Sequence, residues 1–289
     1  MSLLLRWNLI LGISSACIAA AAGYACHSML EANAERELLA EAGLMLDSAV
    51  AMRAYTSAEI GPLLDARLKT EFLPQSVPFY AATQNFLKLH EKYPQYAYKE
   101  ATLNPTNPRD RATDWEADLV QRFRNDATMH ELSGRRDTPM GPSLYMARPI
   151  LVEAECLGCH STPSVAPATM IARYGMNNGF DWQPKEIVGA QVVSVPFARA
   201  ADNVAKSFGG FMSVIVFATL SLWLIANAVL YVQFIRPVRR IARVADSLSL
   251  GRDTAEEFPR RGAREITALG ACFERMRKSL DKALKLLET

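Results

Sequence analysis

Cys156-Leu157-Gly158-Cys159-His160 is the run of this sequence whose residue types and spacing can do chemistry. Two thiols separated by two residues, with an imidazole directly after the second, match the pattern for covalent attachment of a c-type haem. The spacing suits that chemistry because each thiol adds to one vinyl group of the porphyrin, while the next side chain reaches the iron from one face. Cys156 and Cys159 are therefore expected to carry the thioethers and His160 to be the proximal iron ligand, for one haem c. A zinc half-site or a redox dithiol is the competing reading. A structural zinc site normally wants a second pair of Cys or His ligands at similar spacing, and no such pair follows.

A chain of 289 residues has room for one or two domains, and a net charge of +2 with half its residues hydrophobic argues against a nucleic-acid binder. The other cysteines, Cys17, Cys26 and Cys272, imply no disulfide framework. Two apolar stretches set the class. Residues 7–26 carry no charge and span about 30 Å as a helix; they read as an uncleaved anchor, with a cleaved signal peptide as the alternative. Residues 208–235, between Lys206 and Arg236, read as a second membrane helix. Arg6 before the first stretch and Arg236, Arg239, Arg240 and Arg243 after the second contrast with Glu31, Glu35 and Glu37, which places the basic flanks in the cytoplasm. The expected organisation is a cytoplasmic N-terminus at 1–6, a span at 7–26, a periplasmic domain at 27–206, a second span at 208–231, a cytoplasmic segment at 232–285 and a tail at 286–289. The protein is expected in a bacterial inner membrane, with lipid around both spans.

Within the exported part, Leu38, Ala42, Met45, Ala49 and Met52 recur at steps of three and four, one face of a helix that Gly61-Pro62 is expected to stop. Residues 29–60 would form a rod of about 48 Å. A second helix is expected over 78–93, with Phe79, Phe86, Leu89 and Tyr93 on one side, and a fixed turn at Asn104-Pro105-Thr106-Asn107-Pro108. Thr113 to Glu116 has capping-box spacing, and Trp115, Leu119 and Phe123 follow on a third helix. Gly134 and residues 139–142 read as breaks. Residues 144–152 and 187–195 read as strands, the first leading into the Cys-x-x-Cys-His run. Helices first and strands mainly later give an α+β class. A small antiparallel sheet with helices around it resembles the PAS-like plan of extracytoplasmic sensors.

After the second span, Val238, Ile241, Ala245 and Leu248, then Ile266, Leu269, Phe273, Met276 and Leu280, form two coiled-coil seams. Between them lie Gly251, Phe258-Pro259 and the basic pair Arg260-Arg261. A plain solvated amphipathic tail is the bland reading. Two such helices cannot bury their seams alone, and two copies would make a four-helix bundle. Pro237, Gly251, Glu265 and the Phe273 to Met276 pair stand where the HAMP signalling relay has its signature, so residues 232–285 resemble that family, with a connector more charged than usual. The resemblance implies a cytoplasmic helical coiled coil and a homodimer.

The exported region in turn resembles a family of periplasmic c-type haem sensor domains. The resemblance rests on Met52-Arg53-Ala54-Tyr55-Thr56 with Pro62, the Asn104 to Asn107 loop with Glu116, Tyr145 with Ala147-Arg148-Pro149, Cys156 to His160, Tyr174-Gly175 with Gly179-Phe180, and Val188-Gly189-Ala190. Ser161 departs from an expected glycine. A cyanobacterial member is expected to take its sixth iron ligand, a cysteine, from the N-terminal helix. No cysteine stands on the corresponding helix here, so Met52 is the nearest candidate, with core packing as its alternative role and His90 and His130 as rivals. Arg53 and Arg148 are candidate partners for haem propionates, or ordinary surface charges.

These readings lead to the expectation of a membrane-bound haem sensor that passes a periplasmic redox or small-gas signal through the tail to a separate cytoplasmic partner, since no kinase, cyclase or methyl-accepting segment is read after it. A membrane-anchored c-type cytochrome acting as electron carrier is the alternative. No enzymatic activity is expected, although haem peroxidase or reductase chemistry would need only an open iron and an acid-base group such as His130 or His90.

Overall fold

The helix that begins in the first apolar stretch does not end where its turn signal stands. The computed structural model describes residues 3–68, 70–139, 141–250, 257–259 and 263–287, and its contacts divide the chain into two units, residues 25–208 and residues 1–24 with 209–289. Helix α1 (Leu3–Tyr55) passes into a π turn (Thr56–Ile60) and on into α2 (Gly61–Leu68). Gly61 and Pro62 thus continue the helix, contrary to the expected stop. The Gly61 N–H donates to the Thr56 carbonyl, five residues back, and this wider register accommodates a proline that has no N–H to give. Thr56 also donates its hydroxyl to the Met52 carbonyl at 2.8 Å.

In the unit of residues 25–208, α1 and α3 (Pro78–Lys92) cover one face of a four-stranded antiparallel sheet and α4 (Asp114–Asn125) covers the other. The strands are β1 (Ala97–Thr102), β2 (Leu132–Thr138), β3 (Gly141–Leu151) and β4 (Ile187–Pro196), in the order β1-β4-β3-β2. Strand alternation separates two cores. Leu144, Met146, Val193 and Val195 meet Leu38, Ala42 and Leu46 of α1, while Ala101, Ala147, Ala190 and Val192 meet Leu119, Val120 and Phe123 of α4. On α3 the buried residues are Ala82, Thr83 and Phe86, whereas Leu89 and Tyr93 at its far end are each 37% exposed, so the expected apolar side is used only along its first half.

Strands β1 and β2 carry no clear strand pattern in the sequence. Gly134, read as a break, lies inside β2 opposite Tyr145, whose ring fills the space a side chain would take: a Cβ there would stand 3.0 Å or less from the ring and its hydroxyl. Residues 144–152 and 187–195 are strands as expected, shifted only at their ends.

Helix α4 starts at the expected capping box. The Glu116 carboxylate accepts from the Thr113 N–H at 2.8 Å and, 5% exposed, also from Lys99 Nζ on β1 at 2.7 Å. Helix start and neighbouring strand are thereby joined through one carboxylate. Glu116→Ala is expected to lower unfolding free energy by about 2 kcal/mol, a lost cap plus an unpaired and partly solvated lysine, read as a lower denaturant midpoint.

The stretches Leu4–Leu68 and Ala200–Ser249, which run through both units, hold 18-residue windows of mean hydropathy 1.8 and 2.1 respectively, long and apolar enough to cross a membrane. Those windows are almost wholly unburied in the protein, so their side chains are not those of a core helix. Helices α5 (Leu157–His160) and α6 (Ala168–Tyr174) are short, and α7 (Ala198–Leu230) follows; near the start of α1, Asn8 accepts from Asn227 of α7 at 2.8 Å, one polar link between apolar helices. A second π turn (Tyr231–Ile235) precedes Pro237, as the first precedes Pro62. Beyond it, α8 (Arg236–Ser249) and α9 (Arg264–Leu287) bury Ile241, Val244 and Ile266 together with Phe258, which stacks on Phe273 at 5.8 Å. Val244 takes the seam position expected of Ala245, and Phe258 supplies the connector's hydrophobe. Val238, Leu269 and Met276 stay 43–60% exposed. Gly251, Arg260, Arg261 and the side chain of Leu280 lie outside the described residues.

Candidate functional site

Strand β3 delivers the Cys-x-x-Cys-His run. After a register shift at Ile150/Leu151, Val152 exchanges hydrogen bonds with Glu186 and Lys185, and the chain turns through a 3-10 segment (Ala154–Cys156) into the single helical turn α5 (Leu157–His160). Cys156, Cys159 and His160 are thus presented from one continuous turn. Both cysteines are free and half-buried. Cys156, Leu157, Phe79 and Trp182 all pack against the buried cluster of Ile150, Val152 and Val188, an apolar bed at the Cys156 thiol.

His160 is held in one tautomer. Its Nδ1 lies 2.6 Å from the Gly179 carbonyl, which can only accept, so Nδ1 carries the proton and Nε2 keeps its lone pair. Thr106 Oγ1 stands 3.4 Å from the same nitrogen. Trp182 stacks on the imidazole with centroids 4.0 Å apart and planes 10° from parallel, covering a ring face and not the Nε2 edge. Burial holds the imidazole below its ordinary protonation range, against the opposing pull of the Gly179 carbonyl, so the ring is neutral and able to ligate.

The loop that holds His160 is built by close approach. Asp181 and Trp182 donate backbone N–H groups to the carbonyls of Ser161 and His160, and Asn104 accepts from the Gly179 N–H at 3.2 Å. Gly179 has φ +83°, and a Cβ there would meet Thr106 Oγ1, its N and its Cα all within 2.9 Å. The Asn-Pro loop and the Gly179 loop therefore close on each other, with the imidazole hydrogen-bonded where they meet.

The thiols do not have the electrostatics of a redox dithiol. Burial pushes both upward, and the neighbouring carboxylates of Glu153 and Glu155 add to the shift at Cys156, whereas a reactive dithiol needs a lowered thiol pKa. Among the described residues no three His, Cys, Asp or Glu side chains come together as a metal cluster would require, which leaves the zinc reading without further ligands. Two neutral thiols, an imidazole edge with a free lone pair and an apolar bed beside them fit the covalent attachment of a porphyrin.

The other candidate residues fall in different places. Arg53 lies over the Phe79 ring at 4.5 Å and reaches Gln191 of β4, so it is at the border of the apolar bed. Met52, half-buried on α1, precedes it. Arg148 is held by Asp47 at 2.6 Å and Glu131 at 2.9 Å. His90 is exposed, with Nδ1 at 2.8 Å from the Tyr96 carbonyl, and His130 is exposed between α4 and β2; neither is brought to His160. Thr106 lies in the turn the prolines mark. Trp182 has no sequence signal, because only the return of the chain along residues 160–161 puts it on the imidazole.

An α+β domain carrying an ordered Cys-x-x-Cys-His turn is the class that fold and site define. The chain belongs to the Tll0287-like family, whose sequence profile matches residues 31–196. Among solved structures, the cyanobacterial haem protein Tll0287 is similar at 15% identity with a TM-score of 0.44, over 55% of this chain and 95% of that one. No curated protein matches the chain.

Proposed function

We propose that this protein is a membrane-bound c-type haem sensor, with a PAS-like periplasmic domain that reports a redox or small-gas signal through a HAMP-like tail to a separate cytoplasmic partner. The observation that carries the reading is the turn holding Cys156, Cys159 and His160, with Nδ1 committed to Gly179 and Nε2 left over. Membership of a family named for a cyanobacterial haem protein supports haem binding. Haem, when bound, would supply a one-electron couple and an iron able to take a further ligand. Cys156 and Cys159 would hold it covalently. His160, oriented by the Gly179 carbonyl and Trp182, would ligate the iron. Met52 is the proposed sixth ligand, Arg53 a propionate partner, and Arg148 another once released from Asp47 or Glu131.

The Met52 carbonyl accepts the Thr56 hydroxyl at the start of the π turn, so a displacement of Met52 would be passed to that turn of the helix. At the tail, exposed Val238, Leu269 and Met276 are the seam left for a second copy, and two copies with alternative packings make a switch. Spectra of the full chain, matured with its haem, test the sensor. Recorded in both oxidation states with and without CO and NO, they are combined with cross-linking between copies through Met276→Cys in a Cys272→Ser chain. The expected result is a cross-linking yield that changes with oxidation state or bound gas. A yield indifferent to both, with a low-spin form unreactive to gas, would instead mark an electron carrier.

A further inference from the structure

A set of ionisable groups lies between the sheet and helices α1 and α3, apart from the attachment turn. Glu100 of β1 is 5% exposed and accepts from the Tyr98 hydroxyl at 2.6 Å. Its cross-strand neighbour is Gln191 of β4, itself 4% exposed. With its amide oxygen turned toward α1, Gln191 accepts from the Arg53 guanidinium at 2.7 Å. Arg53 in turn covers Phe79, which packs against the same buried cluster, Ile150, Val152 and Val188, as Cys156. Arg53 thus stands between the strand pair that holds the buried carboxyl and the apolar cluster that Cys156 edges.

The groups that face Glu100 are few. Arg53 comes from α1, Arg109 and Asp110 from the turn Pro108–Asp110, and Tyr98 from its own strand. Helix α3 contributes buried Ala82, Thr83 and Phe86, none of them ionisable. Beyond Gln191 on β3 stands Arg148, already paired with Asp47 and Glu131.

We propose that Glu100 is a proton-binding site coupled to the redox chemistry of the attachment turn: when a one-electron donor adds an electron there, the Glu100 carboxylate takes one proton from solvent, and oxidation releases it. The proposal rests on the haem reading above. Atoms and charge balance, since one electron from the donor and one proton from water leave the net charge of the buried region unchanged. A buried carboxylate is costly unless cations face it, and added negative charge nearby tips it further toward the neutral form. Burial already pushes Glu100 up to about 8, against the Tyr98 hydrogen bond and the Arg53 charge, which both pull it down; Asp110 pushes it up and Arg109 down. Its proton occupancy is therefore poised within the ordinary pH range. Arg53 is the coupling element, since it touches both Gln191 and Phe79.

Potentiometric titration of the haem-loaded full chain between pH 6 and 9.5 tests this, alongside infrared difference spectra of the same reaction. The potential is expected to fall with rising pH, by up to about 59 mV for each tenfold drop in proton activity. A carboxyl C=O band is expected to grow on reduction. Glu100→Gln is expected to flatten the pH dependence and remove that band. Tyr98→Phe, which keeps the ring stacked on Phe86 but deletes the hydrogen bond favouring the ionised acid, is expected to move the sloping region to higher pH. A wild-type potential independent of pH with no carboxyl band, or a slope unchanged in Glu100→Gln, overturns the proposal while leaving the haem reading intact. A chain that carries no covalent haem overturns both.

Discussion

Replacing Cys156 and Cys159 together by alanine is expected to abolish covalently retained haem, bringing the haem signal of the denatured, solvent-extracted protein down to background. Both thiols are half-buried, and only Cys156 packs at the edge of an apolar group, so the double variant loses little of the core. Its far-ultraviolet circular dichroism is expected to match that of the parent. The single variants are expected to retain haem through the remaining thioether, with a shifted spectrum, because each thiol bonds one vinyl group independently. Equal haem retention in the double variant would mean that the group is held by ligation and packing alone.

The second large effect is expected at Gly179, and a nearby glycine provides its control. Gly179 and Gly175 have the same φ of +83°, outside the range L residues favour. A methyl group at 179 runs into Thr106 Oγ1 and the Thr106 backbone, whereas one at 175 meets nothing within 4 Å. Gly179→Ala is expected to cost about 3 kcal/mol of stability, the left-handed penalty plus overpacking, and Gly175→Ala only about 1. The clash also displaces the carbonyl that fixes the His160 Nδ1 proton, so Gly179→Ala is expected to alter the ligand-field spectrum and Gly175→Ala to leave it unchanged. Equal spectra and equal denaturant midpoints for the two variants would show that the Thr106 contact does not constrain the loop.

The turn that carries Cys156, Cys159 and His160 stands out in the sequence because its information is local. Two residue types at three fixed positions define the Cys-x-x-Cys-His turn, and Thr113 to Glu116 defines the start of α4, whatever the rest of the chain does. The apolar stretches and the β-branched run of β4 were legible for the same reason. Strand β1 was not, since on the face toward α1 and α3 it carries Tyr98 and Glu100, polar side chains that meet Arg53, Gln191 and the 108–110 turn from elsewhere in the sequence, and on the other face the small Ala101. Strand β2 is an edge strand bonded to β3 alone, so one side of its backbone needs no partner and its side chains need no apolar pattern. Gly134 looked like a break because glycine ordinarily weakens a strand; opposite Tyr145 it makes room. Gly61-Pro62 looked like a helix stop for an equally sound local reason, and the π register at Thr56–Ile60 removed the conflict. Trp182 and Thr106 meet His160 only through chain return over 22 and 54 positions, which no spacing rule anticipates.

Mass analysis of the proteolytic peptide carrying residues 156–160, taken from full chain matured with its haem and extracted in acid acetone, tests the covalent site directly. The expected result is a peptide bearing one haem with both thiols consumed and resistant to alkylation. An unmodified peptide whose Cys156 and Cys159 both take up alkylating agent would contradict it.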